Sequence, residues 1–339
     1  MTTARGRGEN RSPPRRRTTR ESTVDDWLRL LRIDSGEFAW FADDRGWNRR
    51  AAEPLRHYRY RWMRTRSGGL RLIEAPKPRL AEVQRTLLRH LELPVHEAAH
   101  GFRRGRSVHT FAAPHAGRDL VLRMDLEGFF ASVTATRVRA LVGDLAGLVT
   151  TAAPVAVLRA APPAPDVEVR RRLLDRLARP HLPQGAPSSP ALANAVAHRL
   201  DRRITALADV LGATYTRYAD DLAFSGDAGL PLHNLLRGVR RIAADEGFQV
   251  RPDKTRITPA HHRQRLTGLV VNDSPAASRA EYDELRAVLH NCVHSGPSTQ
   301  NRGGHADFRA HLLGRIGWVG ENRPARAAKL RALFDRITW

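Results

Sequence analysis

The stretch YTRYADDLAFSG, residues 215–226, places two adjacent carboxylates between two short runs that are typical of strands. The flanking runs YTRY and LAFS alternate apolar or aromatic with polar residues, which predicts a hairpin with Asp220 and Asp221 at its tip. Neighbouring anions raise each other's pKa unless a cation lies beside them. A polar turn without any chemistry often contains such a pair, so a further acidic segment is needed to favour a functional site.

A second predicted strand, DLVLRMD at 119–125, ends at a third acid, Asp125. Mg²⁺ prefers hard oxygen ligands, keeps several waters and binds one or two carboxylates together with substrate phosphates. Two Mg²⁺ ions roughly 4 Å apart could activate an attacking hydroxyl and stabilise a leaving pyrophosphate. Asp125, Asp220 and Asp221 are therefore candidates for a two-metal site.

The overall charge points to a polyanionic partner. The chain has 57 Lys and Arg against 35 Asp and Glu, a formal net charge of +22 and a pI near 11.5. Nucleic acid is the first candidate and an anionic membrane surface the second. The longest weakly polar run, 145–158, is too short to span a bilayer. The single cysteine, Cys292, cannot form an internal disulfide, which fits a reducing compartment, so we expect a cytoplasmic protein. Because no run is long enough to span a bilayer, we expect no membrane partner.

Several segments show helical periodicity around these strands. Residues 1–21 are rich in arginine and lack an apolar period, so we expect a disordered basic arm there. Mixed strands and helices that do not alternate regularly predict an α+β fold with a helical C-terminal module. The expected helices are one capped by Ser22 or Thr23 with Trp27, Leu30 and Leu31 on one face, others near 80–91, after Pro190 and over 232–244, one behind the SRAE capping box at 278–281, and a last one with Leu330, Leu333, Phe334 and Ile337 buried.

Five segments in this order resemble the reverse transcriptase family. They are the aspartate strand, the LPQGAPSSP turn and helix at 182–190, the Y-x-D-D hairpin, the QVRPDKTRI lysine loop at 249–257 and the LTGLVVN strand at 266–272. The segments 68–91 and 99–115 are most similar to bacterial retron reverse transcriptases. Two residues depart from the retron pattern, since Phe111 replaces the Asn of N-A-x-x-H and Leu266 replaces the Val of V-T-G.

The resemblance implies a right-hand polymerase fold. It places N-terminal helices and fingers at 22–118, a palm at 119–272 with a fingers insertion around 141–183, and a thumb at 273–339. It also implies the roles of individual residues. Asp125, Asp220 and Asp221 would be the catalytic metal ligands, with the backbone of Leu126 as a further ligand, and Lys254 would protonate the pyrophosphate. Phe130 would be the steric gate, Gln184 would contact the nucleotide, and Arg71 and Lys77 would hold its triphosphate. Tyr218 and Ala219 would lie under the primer terminus, beside a primer grip at 266–270.

The function implied by this resemblance is that of an RNA-directed DNA polymerase of a retron, active in anti-phage defence. Its partners would be dNTPs, a cognate structured noncoding RNA that serves as template and primer, the RNA-linked DNA product, host RNase H and a separate toxin or effector protein. Trp318, which we expect in a turn, would bind the RNA from the thumb together with Arg326 and Lys329, although packing is an equal alternative for Trp318. A non-retron defence reverse transcriptase and an inactive RNA-binding scaffold are the alternatives.

Overall fold

The computed structural model describes residues 23–65 and 68–339 and combines helices with antiparallel sheets. The predicted arm at 1–21 and the possible cap Ser22 lie outside the described residues. The strands are β1 Tyr58–Arg64, β2 Leu70–Pro76, β3 Leu120–Asp125, β4 Thr214–Tyr218, β5 Asp221–Gly226, β6 Arg256–Pro259, β7 Arg265–Leu266 and β8 Leu269–Val270. The helices are α1 Val24–Leu31, α2 Ser35–Ala42, α3 Trp47–Arg50, α4 Pro78–His90, α5 Val108–Ala112, α6 Ala135–Val142, α7 Ala146–Val149, α8 Val155–Arg159, α9 Val167–Leu177, α10 Ser189–Val196, α11 His198–Val210, α12 Leu232–Asp245, α13 Arg279–Ser295, α14 Phe308–Gly320 and α15 Pro324–Phe334.

The central sheet has the strand order β4-β5-β3-β6, and every neighbouring pair is antiparallel. The strands predicted on either side of the acidic pair form β4 and β5, and only Ala219 and Asp220 separate them. In the register, Asp125 lies opposite Asp221, which in turn lies opposite Tyr218. The end of β3, the start of β5 and the β4–β5 turn therefore meet at one edge of the sheet.

The two faces of this sheet pack against different elements because side chains alternate along a strand. Leu122 and Phe224 belong to the largest buried cluster, together with Leu200 of α11 and Leu235 of α12. Val121 and its neighbours on the opposite face pack in a second cluster with Phe111, Leu266 and Leu269. The central strands β3 and β5 are thus covered on both faces, and the carboxylates lie at one edge of the sheet.

Helix α1 confirms its predicted cap but not the whole of its predicted face. Thr23 caps the helix in a capping box with Asp26, and Trp27 and Leu31 are buried. The prediction for Leu30 was wrong, since its side chain is 37% exposed. The buried stripe also includes Leu28, which turns the apolar face away from Leu30 on a helix of 3.6 residues per turn.

Helices α13 to α15 build a separate C-terminal core. The predicted capping box of Ser278 and Glu281 is present, and Leu330, Phe334 and Ile337 are buried in this core together with Cys292. In the part of the chain that the structure describes, no helix is both long and apolar enough to cross a membrane.

Two sequence predictions near this core need correction. The segment predicted as one strand at 266–272 is a small hairpin of β7 and β8, because Thr267 and Gly268 adopt φ angles of 45° and 91° and reverse the chain. Trp318, expected in a turn, lies inside α14. The Gly residues around it predict a turn, but the apolar face of the helix overrides that local signal.

The β1–β2 hairpin is fastened to the segment before α10 by a buried ion pair that the sequence did not indicate. His181 Nε2 lies 2.8 Å from Glu74 Oε2, and both side chains are about 1% exposed. The amide of Glu74 also donates to the carbonyl of Gln184 at 2.8 Å. Burial alone would lower the pKa of His181, but the charge and hydrogen bond of Glu74 outweigh burial and raise it above 6.5.

Replacing Glu74 by Gln should destabilise the protein by about 3 kcal/mol, because the change leaves a buried imidazole without its counter-ion. Since the folded pKa of His181 is raised, the stabilisation is fully present below pH 6.5 and is lost as the pH rises through the folded value. Urea unfolding of the wild type and the variant at a series of pH values should therefore show a difference in the free energy of unfolding that becomes smaller toward alkaline pH.

The matched control is Glu37→Gln, which breaks the surface pair between Glu37 and Arg79. This variant should lower the free energy of unfolding by under about 1 kcal/mol at every pH tested. If the difference in the free energy of unfolding between the wild type and Glu74→Gln stays constant or grows with rising pH, the raised pKa of His181 is contradicted.

Candidate active site

The end of β3 brings Asp125 against the lysine of the predicted loop. Asp125 is 5% exposed, and its Oδ2 accepts a hydrogen bond from Lys254 Nζ at 2.7 Å. Lys254 ends a short 3-10 turn that precedes β6, and the amide of Arg251 just before this turn donates to the Asp125 carbonyl at 2.8 Å. The loop is therefore held next to the strand by its backbone as well as by the ion pair.

Asp220 and Asp221 complete an acidic group whose charges oppose one another. Burial, followed by the carboxylates of Asp125 and Asp221, raises the pKa of Asp220 to about 6. Burial also raises the pKa of Asp221, although the guanidinium of Arg123 opposes that shift from 2.8 Å. The group thus lies in an environment that favours the binding of a cation.

A buried network supports the turn that presents Asp220. Ala219 adopts φ 56°, which is unfavourable for a residue with a Cβ. The carbonyl of Ala219 accepts a hydrogen bond from Arg217 Nη1 at 3.0 Å, and the same nitrogen donates to Asn194. Arg217 also binds both oxygens of Asp201 at 2.7 and 2.6 Å, and neither side chain has any exposed surface. The strained turn is therefore fixed from beneath by a fork of hydrogen bonds.

A cavity of about 440 Å³ opens beside the carboxylates. Its walls come from β2, the end of β3, α9, the segment before α10 and the loop before β6. Most of the predicted nucleotide-site residues line it, namely Arg71, Asp125, Leu126, Phe130, Gln184, Asp220 and Lys254.

Other predicted residues lie outside this cavity. Lys77 Nζ instead donates to the carbonyls of Glu53 and Pro54 at 3.0 and 2.9 Å. Tyr218 packs against Phe111, with 5.8 Å between ring centroids. The predicted RNA-binding residues are in the C-terminal module, where Arg326 lies over the Tyr282 ring, Lys329 is exposed and Trp318 is partly buried.

The chemistry of the carboxylates suits a hard divalent cation. Asp125 uses Oδ2 for Lys254 and Asp221 uses Oδ1 for Arg123, so each has another oxygen available. Asp220 has a raised pKa that a cation would lower again. Within residues 23–65 and 68–339, no three His, Cys, Asp or Glu side chains already stand in the arrangement of a metal site. Lys254 and Arg123 supply the positive charge at this edge.

The comparisons with known proteins agree with this arrangement. A family model described as reverse transcriptase (RNA-dependent DNA polymerase) matches residues 63–271. Over 83% of its length the chain is 44% identical to the retron Mx65 reverse transcriptase of Myxococcus xanthus, and over 94% it is 38% identical to the retron Mx162 reverse transcriptase of the same organism. The chain belongs to the retron-type reverse transcriptase family. It spans 65% and 67% of these two relatives, about two thirds of their length.

Both departures noted in the sequence, Phe111 and Leu266, are buried in the same cluster beside the central sheet. Phe111 has no exposed surface and packs against the sheet, while His115 bridges Ser225 and Thr216 at 2.7 Å on each side. Burial lowers the pKa of His115 to about 3, so the imidazole joins β4 and β5 in its neutral form. The changed residue is thus a core residue next to the sheet.

Several residues of the site were not predicted individually, although Arg251 and Arg256 belong to the lysine loop at 249–257. Arg251 and Arg256 line the cavity, and Glu127 is buried between Arg172 and Arg176 of α9 at 2.9 Å from each. These residues come from segments far apart in the chain, and their types are common in exposed helices and loops. Only the position of Glu127, two residues after Asp125, could have drawn attention to it.

Replacing Arg217 by Lys should loosen the Ala219 turn, because an ammonium group cannot bind Asp201, Asn194 and the Ala219 carbonyl together. We expect a loss of about 3 kcal/mol of stability and faster hydrogen exchange at the Leu126 amide, which donates to the Asp220 carbonyl at 2.9 Å. Urea unfolding and hydrogen exchange read by mass spectrometry measure the two effects.

Arg203→Lys provides the matched control, since Arg203 pairs with Asp245 and Glu246 at the surface of α11 and α12. It should leave exchange at Leu126 unchanged. Unchanged exchange in Arg217→Lys as well would mean that the fork does not hold the turn.

Proposed function

We propose that the protein is an RNA-directed DNA polymerase of a retron, which copies part of a cognate structured noncoding RNA into RNA-linked single-stranded DNA. The single observation that supports this most is the convergence of Asp125, Asp220, Lys254, Gln184 and Phe130 on one cavity. An inactive RNA-binding scaffold has no use for buried carboxylates that repel phosphate. Membership in the retron-type family favours a noncoding RNA as the template.

The polymerase divisions map onto the observed elements. In this proposal the central sheet is the palm and 273–339 is the thumb, which has its own core. The β1–β2 hairpin and the helices around it form the fingers, with the insertion around 141–183. Because the cavity has walls from both the hairpin and the sheet, the nucleotide would bind where fingers and palm meet.

Each side chain has a definite task in this site. Asp125, Asp220 and Asp221 would hold two Mg²⁺ ions, which supply charge stabilisation for in-line nucleotidyl transfer. Lys254 lies close enough to Asp125 to protonate a pyrophosphate bound at the same edge. Three of the guanidinium groups that line the cavity, those of Arg71, Arg251 and Arg256, would bind the triphosphate, since an Arg fork matches phosphate geometry.

The thumb provides a basic surface for RNA. Lys329 is exposed, and the Arg326 guanidinium lies 5.2 Å from the Tyr282 ring centroid. Arg326 Nη1 also donates to the Ala277 carbonyl at 3.5 Å. Phosphate contacts from such residues position an RNA without reading its sequence. Trp318 would then contribute through packing as well as through RNA contact.

The proposal extends to a cytoplasmic role in anti-phage defence, with host RNase H trimming the template and a separate toxin or effector protein as partner.

Replacing Asp220 by Asn should reduce DNA synthesis by at least about 10²-fold, because it removes a charge that acts directly on the reacting groups. RNA affinity should change by less than about twofold, since the basic surface is intact. Primer extension on an RNA template and a filter-binding titration give the two values. Asp227→Asn, an exposed change beyond the end of β5, is the control. Near-normal extension by Asp220→Asn would exclude Asp220 from the reaction.

Replacing Phe130 by Val should admit ribonucleotides, because a smaller side chain leaves room for a 2′-hydroxyl. We expect the preference for dNTP over rNTP to fall at least about tenfold, which corresponds to about 1.4 kcal/mol. Single-nucleotide incorporation with matched dNTP and rNTP measures this ratio. Phe248→Val is the control, since Phe248 is buried, does not line the cavity and stacks on Phe129 with 5.7 Å between centroids. It should lower stability and leave the ratio unchanged. An unchanged ratio in Phe130→Val would move the gate to another residue.

A further inference from the structure

Phe102 combines two features that are unfavourable for a residue with only a structural role. Its backbone adopts φ 60°, in the left-handed region that a bulky side chain rarely occupies. Its ring is 49% exposed, so burial does not offset the unfavourable backbone conformation. Strained residues of this kind persist where the surrounding structure holds them, and they cluster at sites of function.

The chain before Phe102 is held in place by the strand that precedes the acidic turn. The amide of Arg217 donates to the Ala98 carbonyl at 2.7 Å, and the amide of His100 donates to the Arg217 carbonyl at 2.8 Å. At Gly101 the backbone comes so close to the turn that a Cβ would lie 2.7 Å from the Ala219 nitrogen. The position of Phe102 is therefore coupled directly to the turn that carries Asp220.

The ring of Phe102 contacts the rings of two residues of the proposed active site. Its centroid is 6.0 Å from the centroid of Phe130 and 6.4 Å from that of Tyr218. Tilted contacts at this distance join the three rings into an aromatic row without covering the outer face of Phe102. The loop after it is fixed as well, since Arg103 and Arg106 both pair with Glu97 at 2.6 Å.

We propose that Phe102 is a substrate-contacting residue that stacks on the terminal nucleotide of the primer strand. This inference rests on the proposed polymerase function, in which Phe130 lies at the sugar of the incoming nucleotide and Tyr218 lies below the primer terminus. A half-exposed ring in contact with both residues lies beside the nucleotides that they would hold. An exposed aromatic ring is suited to this task, because stacking on a nucleobase is strong and independent of sequence.

Phe102→Gly separates this role from a structural one. Glycine removes the ring and also relieves the left-handed backbone, so the melting temperature should equal or exceed that of the wild type. Affinity for a primer–template should nevertheless fall by about tenfold. The probe is a DNA primer with 2-aminopurine at its 3′ end, annealed to an RNA template, and its fluorescence should be quenched by the wild type and less by the variant. Phe102→Tyr should restore both affinity and quenching.

Arg32→Gly is the matched control, because Arg32 also has a positive φ, 56°, but lies at the end of α1. It should raise the melting temperature in the same way and leave primer binding unchanged. Equal affinity and quenching for Phe102→Gly and the wild type would overturn the inference, as would a clear loss of melting temperature in Phe102→Gly. Wild-type extension of the same primer, with Asp220→Asn as a blank, tests the proposed function separately, since the fluorescence readout requires no synthesis.

Discussion

The repulsion among three carboxylates at one sheet edge is the constraint around which the rest of this structure is arranged. In a chain of net charge +22, Asp220 still has its pKa raised to about 6, because burial and two neighbouring acids outweigh the remoter cations. Only groups in direct contact offset such local repulsion. Lys254 does so for Asp125 and Arg123 for Asp221, at 2.7 and 2.8 Å. Arginines that are exposed and lie outside the described ion pairs remain for binding phosphate.

Holding like charges together requires a rigid backbone, and two buried ion pairs support it. Arg217 and Asp201 fix the turn before Asp220, whereas His181 and Glu74 join the β1–β2 hairpin to the segment that carries Gln184. A buried ion pair often stabilises no more than apolar residues of the same volume. Its hydrogen bonds are directional, however, and a directional contact can position a carbonyl or a loop where apolar packing would permit several arrangements.

The sequence predicted the parts of the fold that depend on local patterns. Alternation identified β3, β4 and β5, and the capping box at Ser278 marks the start of α13. Prediction failed where tertiary contacts decide the outcome. Leu30 is exposed because Trp27, Leu31 and the partly buried Leu28 form the core-facing side of α1, and Trp318 is helical despite its glycine neighbours. The partners of Glu74 and Asp201 lie 107 and 16 residues away, and nothing in their local sequence indicates burial.

The C-terminal module is attached to the residues beside the central sheet through contacts with α5. Its core is separate from the two clusters that cover the central sheet, and Trp318 packs against both this core and the cluster that contains β7 and β8. The Trp318 ring lies 5.5 Å from that of His109, and Asn322 Nδ2 reaches His109 Nδ1 at 2.8 Å. His109 belongs to α5, which follows the segment carrying Phe102. These contacts join the module to α5, and from α5 the rings of Phe111 and Tyr218 lead to the acidic turn.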